Sequence, residues 1–277
     1  MTGDINKITV VYGSVENYYL VERILNEYSV DTCFHLAAQS IVLTANRSPL
    51  STFKTNIMGT WNVLEASRRL GSVKRVVIAS SDKAYGEQNS LPYTEEMKLL
   101  GRNPYDASKA CADILAQSYY QSFSLPVVIS RCGNIYGPGD INFSRIVPDT
   151  MRSLIFDRNP IVRSDGSYLR DYIYIKDAVR GYILLAENLD NSDIWGEAFN
   201  FGSEKPIKVI DLVNLIIEIS GKTQLTPKIL GTAKGEIKAQ YLASQKSKKM
   251  LGWRNEYSLI EGLKETYSWY KKFLLKK

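Results

Sequence analysis

Short, nearly unbroken apolar runs alternate with longer stretches in which apolar residues recur every three or four positions. The runs "KITVVYG" (7–13), "TCFHLA" (32–37), "VKRVVIAS" (73–80), "PVVISRC" (126–132) and "AFNFG" (198–202) predict strands. They lack in/out alternation, the pattern of strands covered on both faces of a parallel sheet. Between them, "ENYYLVERILNEYS" (16–29) places Leu20, Ile24 and Leu25 at helical spacing. "STFKTNIMGTWNVLEASRR" (51–69) does the same with Phe53, Ile57, Trp61 and Leu64. "NPYDASKACADILAQSYYQSF" (103–123) opens with Asn103 as a cap and Pro104 in the first turn. Strand–helix–strand repetition predicts an α/β fold built on a doubly wound parallel sheet.

After residue 140 the rhythm changes. "FSRIVPDTMRSLIF" (143–156), "IKVIDLVNLIIEISG" (207–221) and "SLIEGLKETYSWYKKFLL" (258–275) predict helices of a smaller region. "YIKDAVRGYILLAENL" (174–189), followed by "AFNFG", predicts one more helix and strand of the sheet. The expected division is therefore 1–142 with 174–203 for the sheet, and 143–173 with 204–277 for a second region made of discontinuous pieces. No internal repeat or low-complexity linker interrupts the chain.

Composition narrows the class. With 277 residues, 44% of them apolar, there is material for a large core. No run of 18 apolar residues predicts a membrane span, and the polar opening "MTGDINK" lacks a signal core. Cys33, Cys111 and Cys132 have no metal-like spacing, so reduced thiols, a cytoplasmic location and no metal are expected. The net charge of +6 favours anionic ligands only weakly. The lysines of "KSKK" (246–249) and "YKKFLLKK" (270–277) fit solvated helix faces, and no nucleic-acid-binding module is present.

Two stretches carry candidate chemistry. "SSDKAYG" (80–86) follows the strand "RVVIA", so a hydroxyl, a carboxylate and an amine emerge at the carboxyl end of a strand, where open parallel sheets bind ligands. Tyr105 and Lys109 in "YDASK" lie four apart and share a helix face. A phenol titrates near 10, and an ammonium beside it favours the phenolate, a base able to take a proton from an alcohol. By itself a Tyr-x-x-x-Lys pattern is better read as an exposed pair on a surface helix.

Their order along the chain resembles the extended short-chain dehydrogenase/reductase family of NAD-dependent epimerases and dehydratases. "FHLAAQS", "TFKTNIMGTWNVLEASRR", "SSDKAYG", "NPYDASK", "GNIYGPGDINFSRIVPD", "SYLRDYIYIKDAV" and "FNFG" each correspond to a family block. The resemblance implies a Rossmann-like cofactor domain with a carboxyl-terminal substrate-binding region. Within the family the chain looks most like the sugar-nucleotide 4,6-dehydratases of the CDP-glucose type. The dTDP-glucose type carries Asp-Glu where this chain has Asp82-Lys83, and simple 4-epimerases carry small neutral residues.

By that resemblance Tyr105, assisted by Lys109, deprotonates the C4 hydroxyl of a nucleotide-linked hexose, and Ser81 hydrogen-bonds the forming ketone. Lys83 becomes the base at C5, and Asp82 the acid that releases the C6 hydroxyl as water. Opposed duties for adjacent groups require surroundings that push their pKa values apart. His35, Ala37, Asn56, Tyr105 and Lys109 fall on the cofactor side, with His35 read as structural rather than catalytic. Asn134, Arg145 and Arg170 match positions on the sugar, nucleotide and diphosphate side; an arginine fork suits phosphate oxygens. Trp61, Tyr119 and Tyr120 lie on helices 51–69 and 103–123, which form a homodimer interface in the family. A 4-epimerase or reductase, and a non-catalytic nucleotide-sugar-binding relic, are the alternative readings.

The family's glycine-rich dinucleotide fingerprint is not among the 277 residues. The sequence aligns from the family's third strand, so a βαβ unit of roughly fifty residues is unaccounted for. Ser14 stands where the family has an acidic residue toward the adenine. In the strand order 3-2-1-4-5-6 this leaves "KITVVYG" either to pair with "TCFHLA" or to pack poorly, with a free edge on the latter. The expectation is a site for the nicotinamide half of NAD only, with no measurable NAD binding by the 277 residues alone.

Overall fold

A computed structural model describes residues 4–233 and 235–275. The first residues of "MTGDINK" and the last two of "YKKFLLKK" lie outside the described residues. In chain order the first elements are α1 (Tyr18–Glu27), β1 (Thr32–His35), α2 (Val42–Arg47), α3 (Pro49–Phe53), a π turn (Lys54–Met58) and α4 (Gly59–Arg69). Next come β2 (Arg75–Ala79), α5 (Pro104–Phe123), β3 (Val127–Cys132), β4 (Asn134–Tyr136), α6 (Ile146–Ile155) and β5 (Ile161–Val162). Then follow β6 (Leu169–Arg170), β7 (Tyr172–Tyr174), α7 (Ile175–Asn188) and β8 (Ala198–Phe201). The remaining elements are β9 (Ile207–Lys208), α8 (Val209–Ser220), β10 (Lys228–Ile229), β11 (Ala239–Gln240), α9 (Gln245–Leu251) and α10 (Leu259–Leu275).

Four strands form the main sheet in the order β1-β2-β3-β8. β1 and β3 both run parallel to β2, with Thr32 opposite Arg75 and Val76 opposite Val127. The expected α/β fold on a parallel sheet is borne out. Val76, Val77 and Ile78 of β2 and Val127, Val128 and Ile129 of β3 are wholly buried, which is why these runs read as apolar without alternation.

The strand expected at 7–13 does not form. After a 3₁₀ turn at Asp4–Lys7 the chain runs irregularly, leaving Ile8, Val10 and Tyr12 exposed. Apolar β-branched residues make a segment able to join a sheet, but a strand exists only where a neighbour pairs its backbone. β1 pairs with β2 and stands at the end of the described sheet.

The chain divides into two compact units. The first takes the described part of Met1–Gln88, with Glu95–Arg131 and Gly181–Asn200. Its core joins the sheet residues Val76, Ile78, Val127 and Ile129 to Leu25 of α1, Leu64 of α4 and Ala116 of α5. The second takes Asn89–Thr94, Cys132–Arg180 and the described part of Phe201–Lys277. Its core is Met151 and Leu154 of α6, Leu212, Val213 and Ile216 of α8, Leu263 and Tyr270 of α10, and a tyrosine cluster at Tyr136, Tyr172 and Tyr174.

Candidate active site

The stretch after β2 folds into a 3₁₀ turn, Asp82–Tyr85, capped by Ser81 in extended conformation. The Ser81 hydroxyl accepts from the Lys83 amide at 3.2 Å and donates to Asp82 Oδ1 at 3.0 Å. Asp82 is buried and Lys83 half-buried. Gly86 ends the turn at φ +63°, where a Cβ would lie 2.3 Å from the Leu100 carbonyl oxygen. The Leu100 and Gly101 amides donate to the Tyr85 and Ala84 carbonyls at 3.2 and 3.1 Å. At Gly101 a Cβ would lie 2.5 Å from the Asp106 carbonyl oxygen. Two glycines thus let the turn, the strap at 100–101 and the first turn of α5 stack backbone on backbone.

That first turn carries the Tyr105/Lys109 pair. Lys109 is 6% exposed, and its Nζ donates to the carbonyl of Ala79, the last residue of β2, at 2.6 Å. Burial pushes this ammonium down to about 8, with Asp113 pulling the other way. Asn103 occupies the cap position, but its side chain caps nothing; it donates to Asp106 Oδ2 at 3.3 Å. Ser108 Oγ donates to the Tyr105 carbonyl at 2.7 Å and accepts from Asn56 Nδ2 at 2.8 Å. Asn56 also takes the Gln39 amide on Oδ1 at 2.7 Å and donates to the Gln39 carbonyl at 3.1 Å. It therefore ties the loop after β1 to α5, and it does so from the π turn, an irregularity the helical spacing of 51–69 conceals.

His35, at the end of β1, is buried with Nε2 3.0 Å from Thr60 Oγ1. The Thr60 hydroxyl spends its proton on the Asn56 carbonyl at 2.6 Å. The pattern assigns the proton to His35 Nε2. Burial, with Lys109 adding to it, lowers this imidazole to about 4. A buried ring held neutral and tied to Thr60 suits a structural role better than proton transfer. Ala37 lies exposed in the loop beyond β1.

Asp106 is the residue the sequence reading passed over. It is buried, and burial raises its carboxyl pKa, opposed by Lys83 and by the Asn103 hydrogen bond and reinforced by Asp82. The turn and the helix start thus place a second carboxyl within electrostatic reach of the Asp82/Lys83 pair. The signal available was an acid adjoining Tyr105 in "YDASK".

The substrate-side candidates belong to the second unit. Asn134 donates its backbone and side-chain N–H to the Asp171 carbonyl at 2.9 and 3.1 Å. Arg145 pairs with Asp140 at 2.7 Å. Arg170, 8% exposed, donates to the Leu169 carbonyl at 2.9 Å and stands 3.5 Å from Glu236 Oε2.

The family model described as GDP-mannose 4,6 dehydratase matches residues 2–266. The chain belongs to that family. Among curated relatives, the trifunctional UDP-glucose 4,6-dehydratase/3,5-epimerase/reductase of Arabidopsis thaliana is 31% identical over 264 residues, 94% of this chain but 39% of the plant protein. The chain thus spans well under half of that relative's length. The CDP-glucose 4,6-dehydratase of Salmonella typhimurium is 28% identical over 277 residues, covering 95% of this chain and 76% of that protein. Among solved structures, the dTDP-glucose 4,6-dehydratase of Bacillus anthracis in complex with NAD superposes with a TM-score of 0.85 at 27% identity, covering 98% of this chain and 82% of that one. Sugar-nucleotide 4-epimerases are matched as well.

Proposed function

We propose that the chain works as a sugar-nucleotide 4,6-dehydratase of the CDP-glucose type, converting a nucleoside-diphosphate hexose to its 4-keto-6-deoxy form. One observation carries this reading. The Ser81–Asp82–Lys83 turn packs directly on the helix start that bears Tyr105 and Lys109, so an oxidation pair and an acid–base pair share one end of the sheet.

NAD is the cofactor this reading requires, and the residues present fit its reactive half. The buried Lys109 ammonium, Tyr105, Asn56 and the loop through His35 and Ala37 would face the nicotinamide. Gly13, the glycine ahead of α1, offers no open cradle, since a Cβ there would lie 1.9 Å from Leu20 Cδ2. When bound, the cofactor would supply hydride acceptance at C4 and hydride return at C6.

The chain's own residues would move the protons. Tyr105 takes the C4 hydroxyl proton, Lys109 favours its phenolate, and Ser81 Oγ steadies the C4 oxygen as it becomes a ketone. The ketone acidifies C5–H. Lys83 removes that proton, the C5–C6 double bond forms, and the C6–O bond breaks as Asp82 protonates the departing oxygen to water. Lys83 then returns its proton to C5. Tyr105 gains the proton that Asp82 gives up, so one transfer resets the site and the net loss is one water. Arg170 and Asn134 would hold the diphosphate and sugar, and Arg145 the nucleotide side. The chain would act as a homodimer through α4 and α5, where Trp61 is 44% exposed, although Tyr119 and Tyr120 pack on their own unit's core.

Incubating the chain, joined to the family's glycine-rich βαβ unit, with CDP-glucose and NAD⁺ tests the reading: a 4-keto-6-deoxy sugar is expected. A C4 epimer would favour the epimerase reading, in which Asp82 and Lys83 are loop polarity only. Retained nucleotide-sugar binding without turnover would favour a non-catalytic relic.

A further inference from the structure

Arg131 is a charged residue inside an apolar strand. The residue is 2% exposed, and its guanidinium grips Asp113 with two parallel bonds, Nε to Oδ2 and Nη2 to Oδ1, both 2.8 Å. Its Nη1 donates to the Tyr85 hydroxyl at 2.8 Å and reaches the Glu95 carbonyl at 3.3 Å, while Cζ lies 4.8 Å from the Tyr85 ring centre. The Tyr85 hydroxyl passes its own proton to Asn200 Oδ1 at 2.8 Å, and the Asn200 backbone N–H donates to Glu95 Oε1 at 2.8 Å. Tyr85, Asp113 and Asn200 are wholly buried. The network thus joins β3, β8, α5 and the 3₁₀ turn within one unit.

Its attachment points matter more than its members. Asp113 lies one helical turn beyond Lys109 on α5, and Tyr85 closes the turn that holds Asp82 and Lys83. One planar guanidinium therefore fixes the oxidation pair and the elimination pair to the same strand. Stability alone would not call for this. Buried ion pairs seldom outperform an apolar trio of equal volume, because desolvation offsets most of their attraction. What charge and a rigid fork add is orientation.

We propose that Tyr85 and Arg131 are positioning residues that set the Asp82/Lys83 turn against the Tyr105/Lys109 helix, so that C5 deprotonation follows C4 oxidation. This rests on the dehydratase reading. The whole chain carrying Tyr85→Phe tests it, since that change keeps the ring and removes the hydroxyl. Two readouts are taken: amide hydrogen exchange without substrate, and solvent deuterium entry at C5 relative to C4 oxidation with CDP-glucose and NAD⁺. Exchange at 82–86 is expected to rise about tenfold while β2 and β3 stay protected. Deuterium entry is expected to fall about ten- to a hundredfold relative to oxidation. Arg131→Lys, which keeps the charge without the fork, should move both the same way. If exchange rises evenly through the unit, or neither variant folds, the network only supports the fold and the inference is overturned. An unchanged ratio of deuterium entry to oxidation overturns it too. If the unsubstituted chain makes no 4-keto-6-deoxy sugar even when joined to the family's glycine-rich βαβ unit, the dehydratase reading fails separately, and the exchange pattern still judges the coupling of turn to helix.

Discussion

In the unit that carries the main sheet, Lys109 and Arg131 are withdrawn from water and end on a strand carbonyl and a buried carboxylate. In the other unit, Arg145 ends on Asp140, and Arg170 on carbonyls and the half-exposed Glu236. The first arrangement cannot exchange partners without opening the fold. The second can, because each pair keeps one partner open to water, Glu236 beside Arg170 and the Arg145 side chain beside Asp140, where an incoming anion can compete. Fixed charges suit groups that must meet a substrate proton at one geometry. Exchangeable ones suit groups that must release a charged product.

The largest expected effects lie in the first unit. In a chain that carries the family's glycine-rich βαβ unit, Tyr105→Phe should lower C4 oxidation by about 10²–10⁴, the worth of a positioned base, and all later products should vanish with it. Lys83→Ala should separate the steps: C4 oxidation persists, while solvent deuterium entry at C5 and water loss fall by a similar factor. Unchanged C5 exchange in that variant would remove Lys83 from the mechanism.

His35 gives a stability effect of the next size. Its imidazole titrates near 4 in the fold against an ordinary 6.5, so the unfolded chain binds more protons between those values. Stability should be fully present above pH 6.5 and decline as pH falls towards 4, by at most about 3 kcal/mol. Urea unfolding across that window should show the decline shrinking in His35→Gln. An equal decline in both proteins would mean that other groups carry it.

Lys109→Met should shift the pH profile of C4 oxidation to higher pH, since the phenolate loses its neighbouring cation. A profile that stays in place would make the helix pair structural. The smallest effect belongs to the second unit. Glu236→Gln releases a competitor from Arg170 and should tighten nucleotide-sugar binding about two- to fivefold at low salt, the difference fading as salt rises. Weaker binding would instead make Glu236 part of the site.

Much of the fold was legible because burial on both faces writes itself as unbroken apolar runs, as in β2 and β3. "KITVVYG" carries the same signature without the pairing, and no pattern in a segment reports whether its neighbour is present. The candidate groups of the proposed mechanism could be picked out because they lie close in sequence: Ser81 to Lys83, Tyr105 to Lys109. Their supports were not. Arg131 meets Asp113 across 18 positions and Tyr85 across 46, and only the oddity of a guanidinium in "PVVISRC" hinted at a partner. Asp106 went unread because an acid in a first helical turn already has an ordinary explanation in the helix dipole.

The π turn at Lys54–Met58 has a consequence for how this chain tolerates change. Its Gly59 amide reaches back to the Lys54 carbonyl, one residue further than in a regular helix. Each helical residue turns the axis by about 100°, so losing one residue there would close the turn into ordinary helix and rotate everything before it by that angle relative to α4. Substitutions across 54–58 keep the phase; a deletion does not. Among sequence variants, length should therefore be guarded more strictly than identity along this stretch, with Asn56 the side chain whose aim at Ser108 depends on it.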